Sequence, residues 1–139
     1  MSCILRAWGK DFGIDEFMEH NELEVINTWY RGNPKLPTRP QGRNVESLGL
    51  SVELSAADFC ELDKQVIEAI DFCKKNKTVL KRLASFEGVE GIVADFGVNI
   101  HPPGWASFCL PPELLMLLGE LGISCEISVY PVDEEENDT

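Results

Sequence analysis

Apolar and polar positions alternate most cleanly in VESLGLSVEL (45–54): Leu48, Leu50, Val52 and Leu54 fall on one side, Ser47, Gly49, Ser51 and Glu53 on the other. A period of two marks a strand with one buried face. The same rhythm recurs in SCILRAW (2–8), where Cys3, Leu5 and Ala7 oppose Ile4, Arg6 and Trp8. It returns in EGIVADFGVNI through Ile92, Ala94, Phe96, Val98 and Ile100, and in ISCEISVYP through Ile123, Cys125, Ile127 and Val129. EVINTWYR (24–31), rich in β-branched and aromatic residues, predicts a further strand.

Between these runs the period lengthens. GIDEFMEH predicts a short helix capped by Asp15. SAADFCELDKQVIEAIDFCKKN predicts a long one, capped by Ser55 or Asp58, with Phe59, Leu62, Val66, Ile70 and Cys73 on one stripe. Lys74, Lys75 and Lys77 sit where the negative end of its dipole falls. TVLKRLASF predicts a shorter helix ending near Gly88. PPELLMLLGELG predicts another, with proline at its start and glycine at its close. Its leucines run nearly all round, so it is expected to pack on more than one side.

The order β-α-β-β-α-(α)-β-α-β with alternating strands predicts an α+β, two-layer domain over residues 1–131. Its sheet is expected to hold about five strands, mainly antiparallel, with helices chiefly on one face. A βαββαβ core of the ferredoxin-like kind, extended by one helix and one strand, fits this order. Residues 132–139, all but free of apolar side chains and carrying five acids, are expected to be disordered.

Charge changes the picture. The 139 residues carry 12 basic and 24 acidic side chains, a formal charge of −12. Such a balance disfavours nucleic acid and anionic membranes and favours a basic protein partner. Yet RGNPKLPTRPQGR (31–43) gathers Arg31, Lys35, Arg39 and Arg43 with no acid, three prolines and two glycines. This loop either holds down acidic segments of its own chain, meets solvent, or touches an acidic patch or anion. No apolar run reaches the ~18 residues of a membrane span, and no signal peptide is evident at the N-terminus, so a cytoplasmic location is expected.

The chain carries few signs of chemistry. Phosphate-loop, dinucleotide, zinc-protease and nucleophile-elbow motifs are absent. DFG occurs twice, at 11–13 and 95–97, without any companion kinase motif. The spacing of Cys3, Cys60, Cys73, Cys109 and Cys125 matches neither a metal finger nor a disulfide framework, which predicts mostly buried free thiols. No cofactor or metal is expected. NIHPPGW (99–105) offers His101 as a base and Trp105 as a pocket wall; the plainer expectation is a reversing loop with Trp105 folded onto the core. The polar parity of the strands gathers Arg6, Trp8, Glu53, Asp95, Glu126 and Tyr130 on one sheet face. Aromatic anchors among polar residues suit protein recognition, though a solvated sheet face has the same composition.

LRAWGKDFGIDEF, TWYRGNP, SLGLSV and LPPELLMLLGELGISCEISVYP recur in this order in a family of small bacterial proteins known as a domain of unknown function, which this chain resembles over nearly its whole length. Some such proteins look like immunity partners of bacterial toxins. The resemblance implies no catalytic residues. With the acidity, it points to a non-enzymatic immunity protein that covers the basic active site of a toxin such as a nuclease. The alternative is a small enzyme or anion-binding domain using His101, Trp105 and the basic loop.

Overall fold

The computed structural model describes residues 2–32 and 47–133. Five strands form one sheet: β1 (Cys3–Gly9), β2 (Asn27–Trp29), β3 (Leu48–Ser55), β4 (Gly91–Ile100) and β5 (Ser124–Pro131). Four helices join them: α1 (Ile14–His20), α2 (Leu62–Lys75), α3 (Lys77–Ser85) and α4 (Pro112–Leu121). Strand order is β2-β3-β1-β4-β5. The β2–β3, β3–β1 and β1–β4 pairings are antiparallel, and β5 runs parallel to β4. The first four strands thus lie in the split βαβ order expected of a ferredoxin-like core. The β4–α4–β5 crossover appends a fifth, and parallel neighbours require such a crossover.

One sheet face is apolar because each strand keeps its parity. Leu5 lies between Val52 and Ala94, and Ala7 between Leu50 and Ile92. With Cys3, Leu54 and Phe96 these residues are buried against Phe12, Phe17, Val66, Ala69, Cys73, Leu80, Leu83, Leu114, Leu118 and Leu121. The result is a two-layer α+β domain with helices over one face.

Several local expectations change. Glu61, rather than Ser55 or Asp58, precedes α2. The Ser55 hydroxyl instead accepts from the Ala57 amide and Asp58 from that of Cys60, so both build the preceding turn. Asp15 lies inside the first turn of α1, not at its cap, and accepts a hydrogen bond from the Tyr30 hydroxyl at 2.9 Å. This bond pushes the ionisation of Tyr30 up. α4 buries only the stripe of Leu114, Leu117, Leu118 and Leu121 and leaves Leu115 and Met116 exposed, so it packs less completely than its composition implies. Gly122 closes it at φ 75°, a conformation that favours glycine. Cys125 and Val129 have the core-side parity but remain exposed, because β5 is an edge strand that the helices reach only in part.

Gln65 ties the layers together. Its fully buried amide donates to the carbonyls of Asp58 at 3.1 Å and Gly97 at 2.8 Å. Beside it the amides of Gly97 and Asn99 bond Ser2 and Phe59, so the 56–61 segment extends the pairing of β4 beyond the start of β1.

Candidate functional site: the open face of the sheet

Opposite the helices the strands present a second face, and register fixes its rows. Trp29, Gly49, Trp8 and Gly91 follow one another across four strands. The next row holds Asn27, Ser51, Arg6, Val93 and Ser124, and the next Glu53, Ile4, Asp95 and Glu126. Ser128 beside Gly97 and Tyr130 beside Asn99 complete the far end.

The first row is an aromatic platform. A β-carbon at Gly49 would overlap the Trp29 ring, and one at Gly91 would overlap that of Trp8. Each indole thus lies flat over a neighbouring strand's glycine, a cross-strand pairing that covers bare backbone and fixes the ring. At the other end Phe59 packs over Gly97 and meets Tyr130 edge-on, with centroids 5.5 Å apart.

Between the aromatic ends lies an ionic centre. Arg6 Nη2 donates to Asp95 Oδ2 at 2.8 Å and to Glu126 Oε2 at 3.4 Å, and the Ser128 hydroxyl donates to Asp95 Oδ1 at 2.7 Å. Asp95 is 8% exposed, with both oxygens engaged. Its role is to hold Arg6 in place, and it has little surface left for a partner. Glu126 is exposed and Glu53 half-exposed. With Arg6 from the neighbouring row set against the three acids Glu53, Asp95 and Glu126, this ionic centre is net negative.

The parity expected for Arg6, Trp8, Glu53, Asp95, Glu126 and Tyr130 is the one observed, and the six share this face. Trp29 and Phe59 belong with them. A signal for Trp29 existed in the alternation of NTW, but the glycine beneath it becomes visible only with the register. Arg31 is exposed at the end of the β2 segment; Lys35, Arg39 and Arg43 lie outside the described residues, as do 134–139 of the acidic tail.

His101 and Trp105 follow β4 in an exposed loop. His101 opens a turn closed by its carbonyl and the Gly104 amide. Trp105 is 82% exposed rather than folded onto the core. Neither lines the cleft of about 660 Å³ that is walled by Cys60, Leu62, Lys64, Phe108 and Cys109.

All five thiols are free, but only Cys3 and Cys73 are buried, whereas Cys60, Cys109 and Cys125 are exposed. Burial pushes Cys73 up to about 11 and Cys3 further still. Burial and the nearby Asp95 carboxylate also raise Cys125. Among the described residues no group of three or more acids, histidines or cysteines is arranged to hold a metal ion, and no helix is long and apolar enough to cross a membrane.

Comparison with family models, curated proteins and solved structures returns no match to this chain.

Proposed function

We propose that the protein is a non-enzymatic binding protein whose open sheet face docks on a basic protein. The reading extends to an immunity protein that covers the cationic active site of a bacterial toxin in the cytoplasm. The observation that carries it is the acidic row Glu53–Asp95–Glu126, flanked at both ends by ordered aromatic rings on the face opposite the helices. Aromatic side chains already fixed by packing lose little freedom on binding and supply apolar area. The exposed carboxylates give such a face its charge preference, and a formal charge of −12 extends the field over the whole molecule. The resemblance read from the sequence, to a family of unknown function of which some members look like immunity partners, points the same way; the proposal makes Arg6 and Asp95 positioning residues and Trp8, Glu53, Glu126 and Tyr130 contact residues.

Co-expression with the product of the adjacent gene tests this. The expected result is a co-purifying complex and loss of that product's toxicity. Trp8→Ala and Tyr130→Ala should each raise the dissociation rate at least tenfold, while His101→Ala leaves it unchanged. No complex with persisting toxicity, or a small-molecule turnover that depends on His101, would overturn the proposal.

A further inference from the structure

Among the described residues, β5 is an uncovered sheet edge. Folded proteins usually blunt sheet edges with short strands, basic side chains, proline or bulges. The opposite edge follows that rule, since β2 is only three residues long. β5 runs for eight residues in unbroken register with β4, carries no lysine or arginine, and has its single proline at the last position. Among the described residues nothing pairs with its outer side.

The polarity of that edge can be read from the ladder. The Val132 amide bonds Ile100 on β4. Because backbone groups alternate along a strand, those of Glu126, Ser128 and Tyr130 also point to β4. Cys125, Ile127 and Val129 therefore present N–H and C=O groups outward. Their side chains lie on the helix side, where Cys125 and Val129 are exposed and Ile127 is half-buried. α4 continues this strip. Glu113 and Glu120 on one flank pair with Lys74 and Lys77 of α2 and α3, so at 100° per residue Leu115 falls on the flank toward β5. On the other side of the strand stand Glu126 and Tyr130.

The charge around the edge selects the occupant. Arg82 is the last lysine or arginine in the chain, and the 57 residues after it hold 11 acids. A second copy would set one such acidic edge against another, between molecules of −12 each. We propose that the outer edge of β5 accepts an extended segment of a basic protein as a sixth strand, one in which apolar residues alternate with lysine or arginine. The apolar side chains meet Leu115, Ile127 and Val129, and the cations meet Glu126. Main-chain bonds give affinity and the alternating side chains give selection. The inference rests on the proposed binding of a basic partner and names the segment by which that partner is held.

Amide exchange followed by NMR tests it on the full chain, with acetylated, amidated (Lys-Val)4 as probe and (Glu-Val)4 as control. The lysine peptide should slow exchange at Cys125, Ile127 and Val129 at least tenfold, whereas Glu126, Ser128 and Tyr130 are protected from the start. Val129→Pro removes an outward N–H where an edge strand tolerates proline, and should weaken peptide binding at least tenfold without altering the thermal melt. If that variant unfolds, the three outward amides of the parent protein decide alone. Unchanged exchange, equal binding of the glutamate peptide, or a dimer in sedimentation with these amides protected before peptide is added would overturn the proposal. A Trp8-dependent complex with the co-expressed partner in which the three amides still exchange fast defeats this inference alone. Edge protection by peptide without any such complex defeats the docking reading instead.

Discussion

Gly49 and Gly91 matter for what they lack. Each leaves room for an indole to lie on bare backbone, and any β-carbon there displaces the ring. Gly49→Ala should destabilise the fold by about 1–3 kcal/mol, as overpacking does. It should also shift tryptophan emission toward longer wavelength as Trp29 is pushed into solvent; an unmoved spectrum with unchanged stability would mean the ring is not seated there. The thiols make a second test. A thiol reagent should label Cys60 and Cys109 quickly, Cys125 more slowly because its thiol is raised, and Cys3 and Cys73 only on unfolding, and five fast thiols would refute the packing. For Cys73 the folded value, about 11, lies above the ordinary 9.0. The unfolded chain thus loses its proton first, the folded state binds more protons between pH 9 and 11, and stability falls as pH rises through that window. The slope approaches about 1.4 kcal/mol per pH unit for that thiol. Denaturant midpoints measured from pH 8 to 11 check the sign, and Cys73→Ala should flatten the decline.

At the scale of elements, much was legible because one residue's parity decides a whole strand. Leu50 and Val52 fix β3, Leu5 fixes β1, and a one-residue slip would have turned every apolar side chain outward. What the pattern could not carry was completeness of burial. The leucines of α4 and the apolar parity of β5 both promise a covered element, yet Leu115, Met116 and Val129 stay exposed. Exposure depends on what lies beside an element, and only the strand order reveals that β5 is last. Helix starts were misread for a related reason: Ser55 and Asp58 are good caps, but their side chains serve the turn that carries Phe59 to Gly97. Gln65 holds that turn. Gln65→Leu would leave the Asp58 and Gly97 carbonyls without its amide, and should cost about 1–3 kcal/mol. It should also loosen Phe59 against Tyr130, so denaturation together with tyrosine-ring NMR shifts would report it. A stable variant with unmoved Tyr130 resonances would show that Gln65 merely fills space.

Over the whole molecule, the open face supplies geometry and the net charge supplies reach, and the two act on different rates. If the proposed docking holds, a face bearing Glu53 and Glu126 near Trp8 would govern how long a complex lasts, since short-range packing must break before a partner leaves. On the same proposal the field of a −12 protein would govern how often encounters succeed, and it weakens as the screening length shrinks to about 8 Å at physiological ionic strength. Stopped-flow association with the co-expressed partner should therefore slow about tenfold or more between 10 and 150 mM salt (an order-of-magnitude expectation), while dissociation changes by less than about threefold. Charge reversal away from the face separates the terms further. Glu87→Lys, at an exposed position between α3 and β4, should lower the association rate slightly and leave dissociation alone. Trp8→Ala should do the reverse. If salt acted mainly on dissociation, Coulomb pairs within the contact would be holding the complex together, and the acidic field would have lost its role as a guide to the partner.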